Sequence, residues 1–557
     1  MFLREKKSGK RRYLQIVESY RDGDKVRQRI LATLGRLEDL RQSGQLDRLL
    51  ASGARLSEKL SVIGAHKRGE LADVSTTTIG PTQVFGRLWQ ESGIAGCLRD
   101  LVADRRFRFD LERVVRLAVI HRLMDPGSDR AAEKWCRDYV RGDDEVPDLQ
   151  HFYRAMAWLG ESLPESDQEH RLPFSPRCTK DLIEEQLFAQ RRDLFSGLSM
   201  VLFDTTSLYF EGAGGETIGQ RGHSKDHRPD LKQMVVGLVL DQDGRPICCE
   251  LWPGNTTDVT TVMPLIGRLR GRFAIDRICI VADRGMISQK TVAALEDEGI
   301  EYILGARLRK QKEIREQVLS HAGRYHVVHP ARLKTKDPSP LKVKQVFVQD
   351  RRYVVCFNEE QARKDAHDRE QIVTKLESTL RAGDKSLVGN KGYRKYLKAA
   401  GPRFEIDEQK IRDEARFDGK WVLRTNSDLD TESLALAYKD LWMVEAMFRS
   451  LKSVLATRPI YHKTDAAIRG HVFCSFLSLV LMCELQDRMA LRGWHEAEWA
   501  DVLRDLDRLN ETEVTASDGK RYVVRSETRG WCGKAYQAAG VALPPTLRIL
   551  TAEEEVA

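Results

Sequence analysis

The chain lacks the signatures on which several protein classes depend. Its ten cysteines are scattered through 557 residues without a Cys-x-x-Cys motif, and Cys248-Cys249 is the only close pair. That pattern excludes a disulfide framework and a cysteine-built zinc site, and it fits reduced thiols in a cytoplasmic protein. The N-terminus has no apolar stretch of the kind a secretory signal needs, so no signal is expected. The longest apolar run, Val472 to Leu485, covers 14 residues and contains Ser475, Ser478 and Glu484. It is shorter than the roughly 20 residues that span a bilayer, so it reads as a buried core helix and no membrane partner is expected. No Walker-type Gly-rich loop is present, which removes ATP as an implied ligand. No nucleophile elbow supports a Ser-His-Asp or Cys-His hydrolase. Low-complexity segments and internal repeats are absent as well.

What is present describes a globular chain of more than one domain. A length of 557 residues exceeds a single small core and points to two to four domains. Contents of 41% hydrophobic and 31% charged residues suit a soluble protein. The formal net charge of +8 is modest but unevenly placed: residues 1–36 carry eleven Lys/Arg against four acids, nearly the whole surplus. A basic end, with Lys10, Arg11 and Arg12 within it, favours a polyanionic partner; the alternative is a solvated charged tail.

Hydrophobic periodicity divides the chain further. Residues 1–62 read as a hairpin turning at Asp22-Gly23, followed by a polar helix, and form the DNA-binding candidate. A Ser/Thr/Gly linker is expected at 63–80 and a helical region at 81–196, with Trp89, Trp135 and Trp158 in its core. From 197 to 307 the order β-β-β-α-β-α-β predicts an α/β fold with a mixed sheet and helices on both faces. Residues 308–418 read as an inserted β-rich subdomain. The sheet resumes at Lys420 to Arg424, within a second core segment at 419–490, and 491–557 form a C-terminal region. One helix is expected over 431–455, which would place Tyr438, Leu441, Glu445, Arg449 and Lys452 on a single face.

Three acids stand out against this background. Asp204 interrupts the apolar strand Val201-Leu-Phe-Asp204-Thr-Thr-Ser207, and buried acids are costly unless paired or metal-bound. Asp283 ends Ile278-Cys-Ile-Val-Ala-Asp283-Arg-Gly285, at the carboxyl end of a strand, where α/β proteins gather their ligands. Glu445 is the lone acid on its otherwise aromatic and cationic helix face. Singly, each Asp reads equally well as an ordinary structural acid. Together the three suit two-metal phosphoryl chemistry, which needs two hard cations about 3.5–4 Å apart on oxygen ligands. Lys225, Arg228 and Lys232 follow the first strand, in a loop that either reaches DNA phosphates or is simply solvated. His223 and His227 lie in that polar loop and are not expected to hold zinc. Trp252 is expected in the core, with stacking on an extruded base as the alternative.

The flanking motifs resemble those of DDE transposases of bacterial insertion sequences, in the group with a β-insertion between the second and third acid. The group's signature is Tyr, two residues, Arg, three residues, Glu, six residues, Lys, and Tyr438, Leu441, Glu445 and Lys452 stand at those spacings. Asp283-Arg-Gly285-Met286, the Gly222 to Gln233 segment and Pro253-Gly-Asn-Thr-Thr-Asp258 are also similar to members of the group. The likeness covers roughly 199–485. It implies a ribonuclease H-like core in which Asp204, Asp283 and Glu445 are catalytic and hold two Mg²⁺ or Mn²⁺ ions. It also implies cutting at terminal inverted repeats, joining of 3′-hydroxyl ends to target DNA, and a homodimer or larger assembly on double-stranded DNA. Tyr438 and Lys452 would position DNA phosphates. Leu441 departs from the signature arginine, and Arg449 is the geometric substitute. The rival readings are a metal-dependent nuclease without strand transfer and a non-catalytic DNA-binding protein of transposase descent.

Overall fold

The computed structural model describes residues 2–9, 11–22, 25–54, 71–140, 145–169, 171, 175–191, 200–273, 275, 278–286, 288–329, 340–382, 395–400, 403–516 and 521–550. Contacts divide the chain into two compact units. One comprises Met1–Ile79, Asp507–Arg529 and Ala542–Ala557, and the other Gly80–Leu506 and Gly530–Val541.

The first unit is built from two antiparallel sheets. Strands β1 (Phe2–Ser8), β2 (Arg11–Asp22) and β3 (Lys25–Arg36) pair in sequence order, with Leu14 and Val17 buried, as is Leu37 at the start of the next helix. Short helices follow at Leu37–Gln42 and Gln45–Ala54. The second sheet joins β4 (Leu71–Thr78) to β16 (Asn510–Ala516), β17 (Arg521–Arg525) and β18 (Leu547–Leu550), in the order β18-β17-β16-β4. Val514 and Tyr522 are its buried core. Residues 71–78 were expected in a linker, yet Val74, Thr76, Thr77 and Thr78 are β-branched and fit a pleated strand once β16 supplies a partner. The C-terminal region therefore does not stand alone. It pairs with residues that precede the helical region.

Among the described residues, the second unit begins with the α-helices Gly80–Glu91, Ile94–Val102, Leu111–Met124, Asp129–Tyr139, Leu149–Leu159 and Thr179–Arg191. Asp110 and Ser128 cap two of them by accepting from Arg113 N–H and Ala131 N–H. Trp89, Trp135 and Trp158 are all buried. The apolar run lies in the long helix Asp465–Ala490, whose composition would suit a membrane but whose apolar window is 94% buried within the fold. It packs against Leu111–Met124 and Leu149–Leu159. Two glycines let the helices touch at backbone distance: a Cβ on Gly470 would stand 1.8 Å from Met156 O, and one on Gly160 2.0 Å from Ala466 O.

Among the described residues, the large sheet of this unit has nine strands in the order β10-β11-β12-β15-β9-β8-β5-β6-β7. They are β5 (Met200–Tyr209), β6 (Gln233–Asp241), β7 (Pro246–Pro253), β8 (Cys279–Ala282), β9 (Glu301–Gly305), β10 (His326–Val328), β11 (Leu341–Val348), β12 (Arg351–Asn358) and β15 (Lys420–Thr425). Pairing is parallel for β5 with β8 and for β8 with β9, and antiparallel elsewhere, so the sheet is mixed. Val201 and Phe203 face the helices Val262–Phe273 and Gln289–Asp297 on one side. Helix Leu441–Arg449 packs across β5 and β6 on the other. The region expected as a separate β-rich insertion extends this same sheet with β10, β11 and β12. It then adds a 24-residue helix, Glu359–Ala382, and a small ribbon of β13 (Leu397–Ala400) with β14 (Arg403–Ile406).

A fully buried ionic network joins the helical region to the sheet. Lys180, Asp181 and Glu184 of helix Thr179–Arg191 meet Arg268 and Arg272 of helix Val262–Phe273 and Glu250 of β7. Arg272 alone reaches Glu184 at 2.6 Å and Glu250 at 2.9 Å. Burial pushes the Asp181 carboxyl upward, but Lys180, Arg272 and Arg268 outweigh it and hold the group well below the usual carboxylate range.

Candidate active site

The sheet register brings the first two acids together. Phe203 of β5 pairs in parallel with Ala282 of β8, so Asp204 and Asp283 follow in neighbouring strands. Strand β8 stops at Ala282, while β5 runs on along β6 to Tyr209, so Asp204 lies beside the carboxyl end of β8. Because side chains alternate along a strand, Asp204 points away from Val201 and Phe203 and toward the side of helix Leu441–Arg449. Glu445 is exposed on that helix, and a cleft of about 270 Å³ is lined by Asp204, Asp283 and Glu445 with Trp421, Tyr438, Lys439, Leu441 and Trp442.

Asp204 is the perturbed member of the set. Burial pushes its pKa up to about 6, and the charges of Asp283 and Asp258 push the same way. Lys225 and the Thr205 N–H, which donates to Oδ1 at 2.7 Å, oppose them without cancelling the rise. Three carboxylates line the cleft together with the Tyr438 hydroxyl and the Lys439 amine. The carboxylate oxygens fit a hard divalent cation. Among the described residues, no three His, Cys, Asp or Glu side chains are grouped tightly enough to hold an ion as they stand. Mutual repulsion of three carboxylates is the physical reason to expect them apart without a cation between them.

The single helix expected over 431–455 is broken. It divides into Thr431–Lys439 and Leu441–Arg449 at Asp440, and the backbone then widens to a five-residue π turn at Ser450–Val454. The five positions expected on one face, Tyr438, Leu441, Glu445, Arg449 and Lys452, therefore do not form one continuous face. Tyr438 instead donates its hydroxyl to Asp283 Oδ1 at 3.0 Å. Gly305 makes room for it, since a Cβ there would lie 2.2 Å from the Tyr438 oxygen. Leu441 is buried in the cleft wall, and Arg449 is exposed. Lys452 donates to Asp226 Oδ1 at 2.8 Å, and Arg458 approaches Asp226 Oδ2 at 3.0 Å.

The loop cations are engaged as well. Lys225 Nζ bonds Thr205 O at 2.8 Å and Thr205 Oγ1 at 3.0 Å and pairs with Asp258 at 3.1 Å. Arg228 pairs with Asp230 and lies over the Tyr209 ring, and Lys232 donates to Ala213 O. In the first unit Arg12 pairs with Glu38 and Glu5, Arg11 is exposed on β2, and Lys10 lies outside the described residues. Trp252 is buried against Phe203, in the core.

Sequence reasoning passed over Asp226, Asp258, Arg458 and Trp442. The signal for the first two lay in segments already noted, Gly222 to Gln233 and Pro253 to Asp258, where each is an acid in a polar loop. Arg458 and Trp442 gave no such signal.

Residues 196–481 match the transposase DDE domain, and residues 3–65 match the N-terminal domain of IS1634 family transposases. No curated protein matches the chain. Similar solved structures include the cryo-EM structure of the piggyBac transposase synaptic complex with hairpin DNA. It is 12% identical over 78% of this chain and 82% of that one, with a TM-score of 0.37. The Mos1 transposase paired-end complex with the left transposon end is 13% identical, covering 35% of this chain and 59% of that one at a TM-score of 0.14. The Mos1 mariner paired-end complex with Mn is 13% identical, covering 40% and 76%, also at 0.14. The DDE match takes in just over half of the chain and includes Asp204, Asp283 and Glu445. The chain belongs to the DDE transposases of insertion sequences.

Proposed function

We propose that this transposase cuts at the terminal inverted repeats of its element and joins the freed 3′-hydroxyl ends to target DNA, with Asp204, Asp283 and Glu445 as the catalytic acids. The observation that carries the reading is the shared cleft, in which adjacent parallel strands present two acids and a helix presents the third. The strand order β7-β6-β5-β8-β9 supports reading the core as ribonuclease H-like. DDE membership implies a divalent-metal requirement. Two Mg²⁺ or Mn²⁺ ions held by the three acids would supply Lewis-acid activation and charge neutralisation at the phosphate.

The chain's own residues supply the rest. Tyr438 fixes the orientation of Asp283 through its hydroxyl, and Lys225 keeps a positive charge beside Asp204. Lys452 would serve as a phosphate contact, and Arg449, Lys225, Arg228 and Lys232 as further contacts to the strand. Lys10, Arg11 and Arg12 of the basic N-terminal segment serve recognition of the element ends, together with the helical region. Hydrolysis at the element end frees a 3′-hydroxyl, which then attacks a target phosphodiester. Each step exchanges one P–O bond for another and needs no external energy source. The working form is a dimer or larger assembly on double-stranded DNA, because two ends are cut together, and it acts in the cytoplasm.

The test is cleavage of duplexes carrying the inverted repeats that bracket the gene. Wild type is expected to cut them in Mg²⁺, and Asp283→Ala or Glu445→Ala to lose about 10²- to 10³-fold or more in rate. Undiminished cleavage by either variant would show that the acids are wrongly assigned. Joined product from a pre-cut end with a free 3′-hydroxyl separates a transposase from a nuclease that only hydrolyses.

A further inference from the structure

Leu441 leaves the signature without its arginine, and among the described residues the exposed Arg449 has no side-chain ion pair. A different arginine is held in place beside the signature lysine. Asp226, whose side chain is only 4% exposed, carries two cations, one on each oxygen: Lys452 Nζ at 2.8 Å and Arg458 Nη1 at 3.0 Å. One cation would neutralise a buried carboxylate, so the second leaves the trio with a net positive charge at the protein surface. Arg458 keeps 28% of its side chain exposed. Its guanidinium also lies over the ring of Tyr209, 5.5 Å from the centroid.

The backbone beneath Arg458 is tied to the strand that carries Asp204. Glu211 N–H donates to Ile460 O at 3.1 Å, Ile460 N–H to Tyr209 O at 3.4 Å, and Phe210 and Ile460 form a parallel bridge. Lys452 follows Glu445 by seven residues, through helix Leu441–Arg449 and the π turn at Ser450–Val454. The two cations are therefore fixed relative to the acids from two sides, through β5 and through the Glu445 helix. The Lys452 side chain keeps 14% of its surface exposed and Arg458 28%, and a paired ammonium and guanidinium suit a phosphate.

We propose that Lys452 and Arg458, oriented by Asp226, form a two-cation clamp on one phosphate of the DNA strand in the cleft, with Arg458 supplying the guanidinium absent at Leu441. This rests on the reading of the site as a DNA-end transposase.

The test uses the full chain and a duplex of its own inverted repeat, with binding measured over a salt series. Arg458→Met is expected to weaken binding about tenfold or more and to lower the slope of log K against log salt by about one. Arg458→Lys is expected to restore the slope. A duplex carrying a single uncharged methylphosphonate, moved position by position, should reveal one phosphate whose neutralisation weakens the wild type but not Arg458→Met. If Arg458→Met does not fold, Lys452→Met takes its place: loss of sensitivity at that same phosphate supports the clamp, and retained sensitivity overturns it. An unchanged salt slope and an unchanged methylphosphonate scan, with only a lowered unfolding midpoint, would reduce the trio to a structural ion pair and overturn the clamp alone. Wild type that fails to bind the duplex at all would overturn the DNA-end reading and the clamp with it.

Discussion

At Asp204 two opposing influences meet. Burial and the nearby acids raise its proton affinity, while Lys225 and the Thr205 amide lower it. Asp283 differs in having a hydroxyl donor of its own, Tyr438, which approaches only because residue 305 is glycine. Removing a hydrogen-bond partner of a metal ligand commonly costs about 10- to 100-fold in metal affinity or activity. Tyr438→Phe is therefore expected to raise the Mg²⁺ concentration that gives half-maximal end cleavage by about 10- to 100-fold. Gly305→Ala, which pushes the tyrosine away, should reproduce that shift, and a Mg²⁺ titration unmoved in both variants would remove Tyr438 from the site. Asp204 and Asp283 are legible in sequence because an acid in or at the end of an apolar strand is out of place. Asp226, Asp258 and Arg458 were not, because charged residues in polar loops are the rule and only the folded loop reveals what each one holds.

The elements that carry the acids are secured from behind. Arg272 is fully buried and bonds Glu184 of one helix and Glu250 of β7 at once. Replacing it with Met would leave two cations, Lys180 and Arg268, facing the buried acids Asp181, Glu184 and Glu250. The expected cost is about 3–5 kcal/mol of stability, read as a lower urea midpoint at unchanged m-value. A shift below about 0.5 kcal/mol, the ordinary surface range, would contradict the network's role. The long apolar helix and the strand order from 200 to 305 followed from periodicity, since period and composition agree there. The break at Asp440 did not, because no Pro or Gly marks it and the apolar spacing continues through it. Residues 71–78 were misread because Ser and Thr suit linkers as well as strands, and only the partner strand decides between them.

For the molecule as a whole, pairing between distant segments sets the architecture. Strand β4 meets β16 across more than 430 residues of chain, with Thr76 and Thr512 in hydrogen-bond contact. No local pattern could announce this. The second unit also buries histidines. Burial, reinforced by Arg122, pushes His121 down to about 3 and His471 well below its ordinary value. Between about pH 6.5 and pH 3 the unfolded chain binds a proton at His121 that the folded chain refuses, and His471 acts in the same direction. Their contribution is therefore intact above about pH 6.5 and is lost as pH falls, at roughly 1.4 kcal/mol per unit for each histidine. Urea midpoints measured from pH 7.5 to 5 should fall on acidification, and His121→Gln should flatten that fall by one proton's share. An identical slope in the variant would exclude His121 as the source.

On the proposed mechanism, acids from three distant segments hold divalent ions in one cleft. Fe²⁺ with ascorbate and peroxide, substituting for Mg²⁺, generates hydroxyl radicals where the metal sits and cuts the adjacent backbone. Cuts are expected near 204, 283 and 445 together, suppressed by excess Mg²⁺ and lost at all three places in Asp283→Ala. Cutting at only one of these segments, or cuts at all three that survive the loss of Asp283, would contradict that mechanism.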